Sequence, residues 1–204
     1  MRFTVRDLVY IAIFGAIWGA LEMTLGSYLH VIIPPPATPL IGVGTIMTAI
    51  GMVVALIGRL FVPKAGSVLM IGVVTAALKA LSVGGVRLSP MIAIVIECSL
   101  AEVGLLLAER PGRWAFALAS SLAVLWTFFH KFFASYVFLG RAIYDVYLGM
   151  LRKGAQVLGI EMRYGLAIIA AFLLIRIVVG GVAGWLAWEL GEVVQARLGR
   201  GRHG

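Results

Sequence analysis

Seven ionisable side chains sit inside long apolar runs: Glu22, Lys79, Glu97, Glu102, His130, Lys131 and Arg176. A charge in such surroundings is costly, so each group must face protein, an opposite charge or a watery cavity. Two arrangements satisfy that demand. The groups pair with one another, for example Glu97 with Arg176, and hold a bundle together; or they line a polar cavity that binds a small molecule. The number of them favours the cavity, because helix packing alone does not call for so many buried charges. Helical spacing sorts them further. Trp126, His130 and Phe133 share one stripe, and Thr127, Lys131 and Ser135 share the next. An aromatic and polar stripe suits a flat heterocycle held by stacking and a few hydrogen bonds, while each ring taken singly reads as core. Glu97 and Glu102 are five residues apart and point in different directions, so they do not form a paired-carboxylate acid/base site.

The first apolar run carries a second pattern. Ala12, Ala16 and Ala20 recur every four residues with Gly15 and Gly19 beside them, within IAIFGAIWGALE. Small residues at this spacing let another helix approach closely, whether inside one bundle or across to a partner. Glu22 and Trp18 are turned away from the strip. If the strip faces a partner, Glu22 faces the bundle interior. On the last helix Arg176, Gly180, Gly184 and Trp188 fall on one face, which reads as close packing next to a buried charge.

The elements that position these groups follow from composition. The chain has 204 residues, 62% of them hydrophobic and 13% charged, with mean hydropathy +1.05. A soluble domain of this size could not hide that much apolar surface. Runs at 8–33, 40–61, 67–83, 90–108, 114–139 and 166–190 predict an all-α integral membrane protein with six transmembrane helices in a single domain, 1–204. Pro34, Pro35 and Pro36 stop the first run, Pro63 the second, and Pro90 suits a first helical turn. Between the fifth and sixth spans, 140–163 is too polar to cross and too regular for a loop. Ile143, Tyr147, Met150, Leu151, Val157 and Leu158 recur near helical spacing among charges, predicting an interfacial amphipathic helix.

Loop charges orient the bundle. With the N-terminus inside, Arg2, Arg6, Arg59, Lys64, Arg110, Arg113, Arg197, Arg200 and Arg202 lie inside, against Arg87, Arg141, Arg152, Lys153 and Arg163 outside, nine to five. Both termini are expected in the cytoplasm and the chain in the plasma membrane. The net charge of +8 then reflects topology and anionic headgroups rather than nucleic acid. Cys98, the single cysteine, permits no intrachain disulfide and reads as a buried apolar thiol. The chain has no GxxxxGK[ST] phosphate loop, no HExxH, no GxSxG and no Cys/His cluster. No cofactor or metal is expected. His30 and His203 read as a loop and a tail residue.

Taken together, these features resemble the substrate-binding S components of energy-coupling factor (ECF) transporters, over essentially the whole chain. The likeness rests on size, six helices, inside termini, a basic balance and the AxxxA pattern of Ala12, Ala16 and Ala20. It implies that those alanines dock onto a transmembrane T subunit, which joins the chain to two ABC-type ATPases. ATP hydrolysis would then belong to the partners. Within the family, SPMIAIVIECSLAE at 89–102 is most similar to the branch linked to thiamine and its hydroxymethylpyrimidine precursor. That branch binds its ligand near the outer surface, which by position indicates Glu22, Lys79, Glu97, Trp126, His130 and Tyr136. Ligand charge stays open: three glutamates could balance a cation, and Lys79, Lys131 and Arg176 could balance a carboxylate.

The expected function is thus a membrane-embedded subunit that captures a vitamin or precursor and delivers it by reorienting, without covalent chemistry. Two other readings stand beside it. One is an integral membrane enzyme on a lipid-linked substrate, with His130, Lys131 and Glu97 as its site. The other is a free-standing secondary transporter or an assembly subunit; no inverted repeat is visible.

Overall fold

Backbone amides in apolar surroundings must be satisfied within the segment that carries them, and the chain does this with helices throughout. In the computed structural model, residues 2–32, 42–81, 88–108 and 111–200 are described, apart from the side chains of residues 27, 30, 31 and 198–200. The elements are α1 (Val5–Ile32), α2 (Val43–Phe61), α3 (Ser67–Ala80), α4 (Leu88–Leu107), α5 (Arg113–Leu139), α6 (Ile143–Leu158), a 3-10 turn (Met162–Tyr164) and α7 (Gly165–Arg200). Among the described residues there is no strand.

Five helices are long and apolar enough to cross a membrane: α1, α2, α4, α5 and α7. The six expected spans therefore divide into these five and α3, which has 14 residues. At ~1.5 Å per residue α3 measures about 21 Å, short of a ~30 Å hydrocarbon core. The 140–163 stretch does form a helix, α6, with Leu151 and Gly154 its buried residues. The last helix is longer than its apolar run because Glu189 to Arg200 continue the helix in polar sequence. His30, expected in a loop, belongs to the backbone of α1. The prolines at 34–36, Arg87, Arg110 and His203 lie outside the described residues.

Local signals set the helix ends. Thr4 and Asp7 form a reciprocal cap at the start of α1: the Thr4 amide donates to Asp7 Oδ2 at 2.7 Å and the Asp7 amide to Thr4 Oγ1 at 3.3 Å. Lys64 Nζ then donates to the same carboxylate at 2.5 Å, tying the α2–α3 connection to α1. Gly140 and Gly159 take left-handed backbone angles, φ 61° and 66°, and end α5 and α6. The next amide in each case turns back, from Arg141 to the Ser135 carbonyl and from Ile160 to the Ala155 carbonyl.

Helices in this bundle meet at glycines, where dispersion between closely approaching backbones supplies the attraction. The Trp18 ring on α1 packs against Gly51 on α2, and Gly15 and Gly19 take Val74 and Leu78 of α3. Gly72 of α3 meets Cys98 of α4, and Gly104 of α4 meets the Ala119 backbone of α5. Gly180 and Gly184 of α7 press on the backbone at Ser121 and Phe116 of α5, and Trp188 completes that face edge-on to Phe116. The expected packing stripe of α7 is therefore present. These contacts make successive helices run antiparallel from α1 to α5, with α7 antiparallel to α5. The N-terminal end of the bundle holds Asp7, Lys64 and Arg59. The other end holds α6, packed through Gly154 on Ile168 and Phe172.

Candidate functional site

The polar groups collect in the half of the bundle that ends at α6. Lys79, in the last turn of α3, donates to Glu22 Oε2 at 2.9 Å and to the Glu22 carbonyl at 3.2 Å. Both side chains are largely covered, so this pair neutralises two of the expected site residues against each other. It also ties α3 to α1 one turn beyond the Gly19–Leu78 contact.

Glu97 and Arg176 do not pair. The Glu97 carboxylate accepts from Thr48 Oγ1 at 3.0 Å and is 5% exposed. Arg176, 1% exposed, donates from Nε to Thr127 Oγ1 at 3.2 Å and from Nη1 to the Phe172 carbonyl at 3.0 Å. The two systems approach through α2, where Thr45 and Thr48 stand three residues apart. Thr127 gives its own proton to the Val124 carbonyl at 2.7 Å, so Thr45 is the donor in the 3.3 Å contact between the two hydroxyls. Arg176, Thr127, Thr45, Thr48 and Glu97 thus form a buried polar layer across α7, α5, α2 and α4. Hydroxyls separate its carboxyl group from its guanidinium.

The α5 stripe is also assembled. Trp126 lies 6.2 Å from His130 and 6.3 Å from Phe133, centroid to centroid, with His130 6.3 Å from Phe133. His130 Nε2 is 3.1 Å from Ser89 Oγ in the first turn of α4; the tautomer decides which donates. His130 Nδ1 and Trp126 Nε1 are buried and have no hydrogen-bond partner among the described residues. Two buried polar ring atoms left bare beside each other are unusual in a finished core, where such groups find partners. Tyr136, by contrast, is 61% exposed near the end of α5 and joins no ring of this stripe.

Glu102 has a separate structural task at the opposite end. Its Oε1 accepts from the Val68 amide at 2.7 Å, satisfying one of the free donors at the start of α3 and placing a negative charge at the positive helix end. Arg59 lies 4.0 Å from its second oxygen and also donates to Ser67 Oγ at 3.2 Å. The two glutamates of α4 therefore point to different helices, as their spacing predicts. An open depression of about 820 Å³ also lies at that end, lined by Arg113, Trp114, Leu118, Trp188 and Glu192 among others. It contains none of the expected binding residues. Among the described residues no group of His, Cys, Asp and Glu could hold a metal ion.

The small-residue strip of α1 divides in two. Gly15 and Gly19 are buried against α3, whereas Ala12, Ala16 and Ala20 are exposed on the far side of the helix. Val9, Ile13 and Ile17 are exposed there too. The glycines pack within the bundle and the alanines present a smooth apolar face outward. Cys98 is a free, buried thiol, as its setting predicts.

Thr45 and Thr48 are functional candidates that sequence reasoning passed over. Their signal is slight: two hydroxyls three residues apart in an otherwise apolar helix. Compared with known protein families, with curated proteins and with solved structures, the chain finds no match in any of the three.

Proposed function

We propose that the chain is the membrane-embedded substrate-binding subunit of an ATP-driven, ECF-type uptake transporter. It takes a vitamin or vitamin precursor at the outer face of the plasma membrane and hands it on through a T subunit and two ABC-type ATPases. In this arrangement the five long helices and the short α3 make six crossings, both termini are cytoplasmic, and α6 lies in the outer interface. A span as short as α3 is accommodated by tilt of its neighbours or local thinning of the bilayer.

The observation that carries the reading is the division of the first helix. An apolar face of Ala12, Ala16 and Ala20 is left uncovered, while the neighbouring glycines are used up inside the bundle. Small side chains on an uncovered face suit the close approach of a partner helix. The polar and aromatic groups, at the α6 end, supply what a small ligand needs: bare ring nitrogens on Trp126 and His130, and buried Glu97 and Arg176.

The Ser89–His130 contact is the one feature favouring an enzyme on a lipid-linked substrate. A serine activated by histidine needs a third group to orient the ring, and His130 Nδ1 has none among the described residues. Binding without turnover is the better fit. Mass spectrometry of small molecules released from the purified, tagged chain tests this. One vitamin-sized compound per chain, released unchanged, is expected. An empty chain, or a chemically converted product, contradicts it.

A further inference from the structure

A buried guanidinium needs a counter-charge, and Arg176 lacks one. The residue is 1% exposed in α7, and no carboxylate lies within 4.0 Å of it among the described residues. Its neighbours are neutral: the Thr127 hydroxyl, the Phe172 carbonyl and the faces of Phe128 and Phe172, whose centroids are 5.6 and 5.9 Å from Cζ. Nη2 has no acceptor among the described residues. The surroundings add positive charge: Lys131 lies one turn along α5 from Thr127, and Lys153 is on α6, which packs on α7 at Ile168 and Phe172. Neither lysine is in an ion pair among the described residues. Of the acids at this end of the bundle, Glu22 pairs with Lys79 and Glu161 with Arg163, and Asp145 is exposed in the first turn of α6 with no ion pair to Arg176, Lys131 or Lys153 among the described residues. Glu97 is bonded to Thr48; it can shed its charge by binding a proton, which arginine cannot do.

We infer that Arg176, with Thr127, is the recognition point for a carboxylate on the bound ligand. Lys131 and Lys153 supply the positive field that draws it in. A planar, singly charged carboxylate matches the guanidinium fork and supplies the counter-charge that Arg176 lacks. That the carboxylate belongs to the transported molecule rests on the transport reading. A purely cationic ligand, such as the thiamine suggested by 89–102, would leave Arg176 unbalanced.

The probe is acetate, against its neutral counterpart acetamide, on the full chain in nanodiscs of phosphatidylcholine, with chloride holding ionic strength constant. Acetate near saturation should raise the thermal unfolding midpoint by roughly 5 °C, and acetamide should leave it unchanged. Arg176→Gln should lose the acetate response and Arg176→Lys should keep part of it. Should Arg176→Gln fail to fold, Thr127→Val takes its place and should weaken the apparent acetate affinity several-fold. No acetate shift, an equal acetamide shift, or an undiminished shift in the variants overturns the inference. So does a shift produced by phosphatidylglycerol discs alone and not increased by acetate, because the counter-charge is then a lipid headgroup. A positive acetate result from a chain that brings no partner subunits through purification would leave the anion site standing and remove the transport reading.

Discussion

At the scale of single residues, the bundle separates charges that hold it together from charges left for something else. Glu22 and Lys79 belong to the first group. Removing either partner strands the other in a largely covered site, so Glu22→Gln or Lys79→Met should each cost about 2 kcal/mol. Combining them should recover part of that loss, a coupling that a double-mutant cycle of thermal unfolding would measure. Gly51 is a second structural point. Any side chain there meets the Trp18 ring, so Gly51→Ala should cost roughly 1–3 kcal/mol in the same assay. Sequence alone identified the buried charges, since a glutamate or arginine in an apolar run is conspicuous. It could not pair them. Glu22–Lys79 spans 57 residues, and the Glu97–Arg176 pair suggested by composition gives way to two separate bonds to threonines.

At the scale of elements, α1 makes the sharpest prediction because adjacent residues on it have opposite duties. Ala16 is exposed and Gly15 is wedged against Val74 and the Ile71 carbonyl. Ala16→Trp should therefore leave thermal stability within about 0.5 kcal/mol of the original while abolishing co-purification of partner subunits. Gly15→Leu should instead force α1 and α3 apart and lower stability by roughly 1–3 kcal/mol. Equal effects of the two on stability would mean that the alanine face is internal packing after all. Helices themselves were legible, because six apolar runs and one mixed run punctuated by proline and glycine leave few alternatives. What stayed hidden was the split of the small strip. Alanine and glycine are equally small, and only the position of α3 decides which of them is covered. The shortness of α3 was largely visible, since the third apolar run, 67–83, stops at Gly84 and Gly85, and the helix ends three residues earlier at Ala80.

At the scale of the whole molecule, the proposed function rests on the polarity of the bundle: the candidate ligand groups lie toward α6, and the Asp7–Lys64 tie lies at the opposite end. The proposed orientation predicts that Lys153→Cys, on a Cys98→Ala background, reacts with a membrane-impermeant thiol reagent added to intact cells. Lys64→Cys should react only after the cells are opened. The reverse pattern would invert the topology and place the candidate site on the cytoplasmic side, where an uptake receptor has no use for it. The central claim, that this chain is the binding part of an ATP-driven complex, is tested most directly by a pull-down. The tagged chain would be withdrawn from its native membranes in mild detergent and its companions identified by mass spectrometry. One polytopic membrane protein and one or two ABC-type ATPases, lost with Ala16→Trp, is the predicted result. Recovery of the chain alone, under conditions that keep other membrane complexes intact, would contradict it.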